Sequence, residues 1–268
     1  MVDYIRYHSA MADSMRHPNV ARIYDYLLGG KDNFQVDREA AARLQEVLPD
    51  SVRAARENRR FLERVVRYLV WQAGIRQIID IGTGLPTRGN VHEVAQRIAP
   101  ETRVVYVDND PVVVRHGMAL LVTGEDTAMV EADLRAPRAI MTHPDTRRLI
   151  DFGAPVAVLM LASLHFVTDA EDPRAIVRLW RDTMAPGSYL AISHITADEV
   201  DPASAKAAQE VYADASAPAV PRTLAEVEAF FDGFDLVPPG VVNISSWPAP
   251  VPGRPRHRAL LYGGVGRR

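Results

Sequence analysis

Apolar residues cluster in five short runs along the middle of the chain, at 77–81, 103–107, 128–132, 156–161 and 189–193. Each run is rich in Val, Ile and Leu on successive positions rather than alternate ones, which predicts strands buried on both faces. Between the runs stand helix-start signals. Asn90 with Glu93 and Thr223 with Glu226 fit the capping box, while Asp110 before Pro111 and Asp172 before Pro173 place an N-cap ahead of an N1 proline. Strands of this kind alternating with helices predict an α/β fold, a parallel sheet covered by helices.

The stretch ahead of the first run reads as helical. One helix is expected over 18–28, with Val20, Ile23, Tyr24 and Leu27 on one face and Gly29-Gly30 as its stop. Another is expected over 51–71, where Phe61, Leu62, Val65, Val66 and Leu69 form an apolar stripe. Arg53, Arg56, Arg60, Arg64 and Arg67 fall opposite it and are expected to be solvated. Asn58 sits near the centre of the stripe and Arg59 at its edge, where a polar group needs a partner in the protein or in a ligand. After the fifth run come an alanine-rich helix over 202–213, a capped helix from Thr223, and two last strands near 236–244 and 257–262, close enough in sequence to pair antiparallel. Pro248, Pro250, Pro252 and Pro255 read as a stiff loop before the last strand. The expected division is a helical extension over 1–72 and an α/β domain over 73–268.

Composition narrows the function classes. The chain has 268 residues, 47% hydrophobic and 24% charged, with no cysteine, so disulfide scaffolds, thiolate zinc sites and cysteine nucleophiles are excluded. A formal net charge of -3 offers no excess of positive charge for displacing counterions from a nucleic acid, and no nucleic-acid partner is expected. The longest apolar stretch, 156–164, is too short to span a bilayer, and the opening residues hold Asp3 and no apolar run. A cytoplasmic protein without a membrane partner or a metal is therefore expected. Only Lys31 and Lys206 are lysine among 31 basic residues, which draws attention to each.

In an open parallel sheet, ligands bind beyond the carboxyl ends of the strands. The first run ends in Asp80-Ile81-Gly82-Thr83-Gly84, whose glycines allow a tight turn and a close ligand approach. A dinucleotide fingerprint would need glycine where Thr87 stands, and Asp80 repels phosphate but suits a cationic ligand. At the second tip Asp110 is accounted for as an N-cap, which leaves Asp108 to accept the hydroxyls of a ribose. At the third, Asp133 could accept the amine of an adenine. His165 and His194 follow the fourth and fifth runs, and either could take a proton near neutral pH. Lys31 lies in a Gly-Gly-Lys-Asp-Asn turn that could close over an acidic or carbonyl-bearing acceptor.

In this order, Asp80 to Gly84, Val107-Asp108, Ala132-Asp133-Leu134 and Ala162-Ser163-Leu164-His165 resemble the motifs of class I S-adenosylmethionine-dependent methyltransferases. More narrowly, residues 18–34 (PNVARIYDYLLGGKDNF), Glu57-Asn58-Arg59 and Asp80 to Gly84 with Leu85-Pro86-Thr87 resemble an actinobacterial S-adenosyl methyltransferase family once catalogued as a domain of unknown function. The resemblance implies a Rossmann-like fold, with a mostly parallel seven-stranded sheet, an antiparallel last strand and an N-terminal helical lid. It implies S-adenosylmethionine as cofactor, leaving as S-adenosylhomocysteine, and no established methyl acceptor. Carried over by position, Gly82, Thr83 and Gly84 face the methionine portion, Asp108 the ribose, Asn109 and Leu134 the adenine faces, and Asp133 the adenine amine. Ala162 and Ser163 pass beside the sulfonium. The lid gives Asn58 and Arg59 a role, with Arg59 paired to the methionine carboxylate. Pro86 departs from the broad class, which has a third glycine there. The expected activity is methyl transfer to a small molecule. The alternatives are a non-catalytic cofactor sensor and, disfavoured by Asp80 and Thr87, a nicotinamide-dependent oxidoreductase.

Overall fold

The computed structural model describes residues 16–249 and 257–268. The five apolar runs form the parallel strands β1 (Gln77–Ile81), β2 (Arg103–Asp108), β3 (Thr127–Glu131), β4 (Ala157–Leu161) and β5 (Tyr189–Ile195). Two-residue strands β6 (Asp235–Leu236) and β7 (Val242–Asn243) both pair antiparallel with β8 (Leu261–Arg267), which in turn pairs antiparallel with β5. The order is β3-β2-β1-β4-β5-β8-β6. β1 lies between β2 and β4, so the connection reverses there and the crevice beyond its carboxyl end is where a doubly wound sheet takes a ligand.

The sheet thus has eight strands rather than the seven expected. The strand expected over 236–244 is broken in two by a turn containing Pro238, Pro239 and Gly240, where proline cannot supply ladder N–H groups. The last strand begins at Leu261 instead of 257, and carries Gly263, Gly264 and Gly266. A Cβ at Gly263 would stand 2.9 Å from Phe61 Cζ and 2.8 Å from Ile244 Cγ2, and one at Gly266 2.9 Å from a ring carbon of Phe231. Neighbouring side chains therefore occupy the space that β8 leaves. Pro250, Pro252 and Pro255 of the expected stiff loop lie outside the described residues.

Successive strand residues point to opposite faces. On one face Ile78, Val104 and Tyr106 join a core with Phe61, Leu62, Val65 and Val66. On the other Ile79, Ile81, Val105 and Val107 join a core with Trp180, Ile176 and Leu149. Helices α1 (Val20–Leu28), α2 (Gln35–Val47) and α3 (Ser51–Arg67, continued by a π-helical turn Tyr68–Gln72) precede the sheet. α4 (Val91–Gln96), α5 (Pro111–Leu120), α6 (Pro137–Thr142), α7 (Pro144–Leu149) and α8 (Pro173–Thr183) connect its strands, and α9 (Pro202–Ala213) and α10 (Leu224–Glu228) follow β5. The apolar stripe of α3 is buried and Arg56, Arg60 and Arg67 are exposed. Arg64 is not part of a solvated face. It donates from Nε to the Trp247 carbonyl at 2.7 Å and from Nη2 to the Ile244 carbonyl at 2.6 Å, because the segment between β7 and β8 folds across that edge of the helix.

A helical layer covers the crevice, and it draws on both ends of the chain. Ile23 and Leu27 of α1, Leu44 of α2, Ala55 of α3 and Val211 of α9 share one apolar cluster. The layer is tied to the sheet by buried polar contacts. Arg22 donates to Asp37 Oδ2 at 2.7 Å and lies 3.7 Å from Asp110 Oδ2. Among the described residues no helix is long and apolar enough to cross a membrane.

Candidate functional site

Beneath the helical layer, over the tips of β1, β2 and β4, lies a cavity of about 420 Å³. The turn after β1 is shaped by Gly82 and Gly84, at φ +71° and +68°, a left-handed backbone that side chains disfavour. At Gly82 space enforces the same choice, since a Cβ there would stand 2.4 Å from Ser163 Cβ. Thr83 Oγ1 donates to Asp80 Oδ2 at 2.9 Å. The amide of Gly84 donates to Asp108 Oδ2 at 2.9 Å and that of Asp110 to Asp108 Oδ1 at 3.0 Å. The Asp108 carboxylate is thereby fixed at the mouth of β2 with lone pairs left for further donors. Burial pushes both Asp80 and Asp108 up to about 6, against the opposing pull of the Thr83 hydroxyl on Asp80 and of the Asp110 and Gly84 amides on Asp108. A donor-rich or cationic ligand would favour their ionised forms.

Asn109, Ala132, Leu134 and Arg135 also line the cavity. Asp133 is not among its lining residues. Its carboxylate turns to Arg135, accepting from the backbone amide at 2.8 Å and from the guanidinium at 3.1 Å, and to Asn109 Nδ2 at 3.0 Å. An arginine two residues on thus takes up the carboxylate that the sequence reading assigned to an adenine amine. After β4, Ala162 adopts φ +56°, rare for a residue with a side chain. Its amide is held by Ser193 of β5, at 2.9 Å from Oγ and 3.0 Å from the carbonyl. Ser163 Oγ donates to the Ile81 carbonyl at 2.8 Å and so ties the tip of β4 to that of β1.

Asn58 finds its partners inside the protein. Its Oδ1 accepts from Ser193 Oγ at 2.6 Å and its Nδ2 donates to Tyr24 Oη at 3.0 Å, while Tyr24 donates to the Ala55 carbonyl at 3.1 Å. This chain links α1, α3, β5 and the strained Ala162. Arg59 lines the cavity and donates to the Gly89 carbonyl at 2.9 Å, next to the glycine turn.

The three residues expected to do chemistry are not brought together. Lys31 is exposed in the turn between α1 and α2 and does not line the cavity. His194, within β5, is fully buried and does not line the cavity either. Its Nδ1 lies 2.8 Å from the Ile195 carbonyl, which can only accept, so Nδ1 carries the proton and Nε2 accepts from Arg222 Nη1 at 2.8 Å. With both nitrogens engaged and burial pulling its pKa down to about 4, His194 has no free lone pair to act as a base. His165 alone of the three lines the cavity. It is 4% exposed, its Nδ1 has no hydrogen-bond partner, and burial holds the ring well below the usual histidine range.

Sequence reasoning passed over Ser193, Phe166 and Tyr212. Ser193 carried a signal, as a polar residue closing an apolar run. Phe166 and Tyr212 carried none, because only the docking of α9 brings their rings to 5.9 Å. Among the described residues no cluster of histidines and carboxylates is placed to hold a metal.

A family model described as S-adenosyl methyltransferase matches residues 7–268. A candidate methyltransferase from Thermobifida fusca YX is 42% identical, with 95% of this chain and 96% of that one covered and a TM-score of 0.89. A DUF574 family protein from Streptomyces avermitilis MA-4680 is 41% identical, with 95% and 98% covered and a TM-score of 0.89. Human N-acetylserotonin methyltransferase, solved with S-adenosylmethionine, shares the fold at 16% identity and a TM-score of 0.50, with 97% of this chain and 66% of that one covered. No curated protein matches the chain.

Proposed function

The chain belongs to the S-adenosyl methyltransferase family, and from that premise we propose that its cavity holds S-adenosylmethionine over the strand tips and a small-molecule methyl acceptor beneath the helical layer. When bound, the cofactor supplies an electrophilic methyl group on a sulfonium sulfur. The residues fit such a ligand. Gly82 and Gly84 turn the backbone in a left-handed conformation along the cavity wall, and two buried carboxyls, Asp80 and Asp108, favour a cationic, hydroxyl-bearing guest.

Asp108 carries the reading. Fixed by two backbone amides, its carboxylate accepts the ribose hydroxyls without first having to be ordered. Gly82, Thr83 and Gly84 border the methionine portion, and Asn109 and Leu134 the adenine. Asp133 acts at one remove, holding Asn109 and Arg135 in place. Ala162 and Ser163 face the reacting centre, and Asn58 positions Ala162 through Ser193. Arg59, held beside the glycine turn, meets the methionine carboxylate. Holding nucleophile and methyl in line is the main demand of such a transfer, and a cavity covered on one side by α1, α3 and α9 meets it.

Calorimetric titration tests this reading. S-adenosylmethionine and S-adenosylhomocysteine are expected to bind and NAD is not, and Asp108→Asn and Arg59→Ala each weaken the binding. Unchanged affinity in Asp108→Asn would overturn the assignment. Transfer of labelled methyl from the cofactor into a metabolite extract tests the small-molecule acceptor; absence of transfer into any fraction would favour a sensor.

A further inference from the structure

Charge is unevenly spread around the cavity. Its ionised or ionisable carboxylates and arginines are Asp80, Asp108, Asp110, Arg59 and Arg135, all at the strand tips or over the glycine turn, where the reading above seats the cofactor. The remaining wall, built by α2, the start of α3, the turn Leu164–Phe166 after β4, α9 and the segment after it, has no Asp, Glu, Lys or Arg among its lining residues. Its polar groups are neutral hydroxyls, amides and one imidazole, set among residues such as Leu44, Leu48, Ala208 and Ala219. An ion placed there would lose its hydration with no countercharge in return.

An aromatic corner lies in this wall. The rings of His165 and Phe166 are 4.3 Å apart, and Phe166 lies 5.9 Å from Tyr212 at an angle of 53°. His165 Nδ1 is enclosed without a partner, so Nε2 is the edge of the ring left for the cavity. The ring is neutral, because burial, His194 and the Arg222 guanidinium all oppose a second proton. Its one proton has two possible seats. On Nδ1 it would form a buried N–H with no acceptor, which is rare and costly, whereas an unmet lone pair there is better tolerated.

We propose that His165 is a specificity-determining hydrogen-bond donor rather than a base, presenting Nε2–H to an oxygen of an uncharged aryl acceptor that lies against Phe166 and Tyr212. This rests on the methyltransferase reading of the same cavity and names the substrate class for it. As the bond from the acceptor to the methyl carbon forms, the sulfur–methyl bond breaks and its electron pair stays on sulfur; the methylated acceptor then carries the positive charge and gives its proton to water as the products leave, not to this imidazole. Planar rings gain from the edge and face contacts of the aromatic corner, and a neutral aryl oxygen lying against those rings meets the Nε2 edge of His165.

The test uses the full chain loaded with S-adenosylhomocysteine, whose own binding is measured first. Four naphthalene probes then differ only in one substituent: 2-methoxynaphthalene, 2-naphthol, naphthalene and 2-naphthoate. The methoxy compound, which can accept but not donate, is expected to bind about as well as naphthol. Naphthalene should bind about 3- to 10-fold more weakly, the worth of one neutral hydrogen bond, and naphthoate more weakly than naphthol by about tenfold or more. His165→Phe should keep its affinity for S-adenosylhomocysteine and lose the preference for the oxygenated probes. Nitrogen NMR of the histidine rings gives an independent readout, with the His165 proton on Nε2 and no titration near neutral pH. Naphthol binding much better than its methyl ether, or a proton on Nδ1, would make His165 a base and overturn the donor role. Equal binding of naphthoate, or no probe binding while S-adenosylhomocysteine binds, would overturn the acceptor class. Failure of S-adenosylhomocysteine itself to bind would instead remove the reading on which the proposal rests.

Discussion

Asn19 Nδ2 lies 2.5 Å from Asp110 Oδ2, so the N-cap of α1 grips the N-cap of α5. Each residue keeps an oxygen for its own helix, Asn19 Oδ1 accepting from the Ala21 amide at 2.8 Å and Asp110 Oδ1 from the Val112 amide at 2.7 Å. One contact thus joins the covering layer to the turn that holds Asp108. Asn19→Ala removes a cap and this tie together and is expected to cost about 1–2 kcal/mol in urea denaturation. Amide exchange should quicken in α1 more than in α5. Exchange in α1 at the original rate would refute the tie.

Acidity should act on stability and on cofactor binding in opposite directions. Asp80 and Asp108 have folded-state values raised to about 6, against about 3.9 in an unfolded chain. Between those values the folded ligand-free protein holds more protons than the unfolded one, so these two groups make stability fall as pH rises through that window. Cofactor binding needs the ionised carboxylates, so affinity for S-adenosylmethionine should instead rise with pH, by about tenfold per carboxylate between roughly pH 5 and 7. Calorimetry across that range checks it, and a flat profile would show that neither carboxylate engages the ligand.

The two glycines of the turn after β1 should respond differently to alanine. Gly84→Ala meets no atom within 4 Å and pays only for the left-handed backbone, about 1–2 kcal/mol. Gly82→Ala adds the collision with Ser163 and should cost about 2–5 kcal/mol in all. Equal denaturation midpoints for the two variants would contradict this ranking.

His194→Gln separates structure from chemistry. Arg222 loses the acceptor of its Nη1 and stability should drop by about 1–3 kcal/mol. S-adenosylhomocysteine affinity should stay unchanged, since the ring lies outside the cavity. A weakened cofactor complex in a variant of intact fold would return His194 to the site.

Much of this architecture was legible because burial on both faces leaves a local trace. β1 ends where the apolar run does, and Asp108 could be picked out once Asp110 was spent as a cap. The misses are of the opposite kind. Helical phase placed Arg64 away from the core but could not know that residues some 180 positions later cross it. Lys31 stood out by rarity, a property of composition that exerts no force on where a turn lies. His194 sat at the right distance past a strand, yet the partner that removes it, Arg222, comes 28 residues later. Asp133 kept its place at a strand tip, but the adjoining arginine decides which way its carboxylate faces.

The glycines of β8 bind distant parts of the sequence into a common fate. Gly263 is a socket for Phe61 and Ile244, and Gly266 for Phe231 and Phe234. A side chain gained on the strand displaces the rings and branches opposite and, at Gly263, also meets the Ile192 carbonyl, so a larger residue there needs changes at more than one position. Gly263→Ala alone should therefore be harmful, and only partly relieved when Phe61 becomes leucine, because Ile244 Cγ2 and the Ile192 carbonyl also stand within 2.9 Å of the added carbon: a helix near one end of the chain and a strand near the other share one volume.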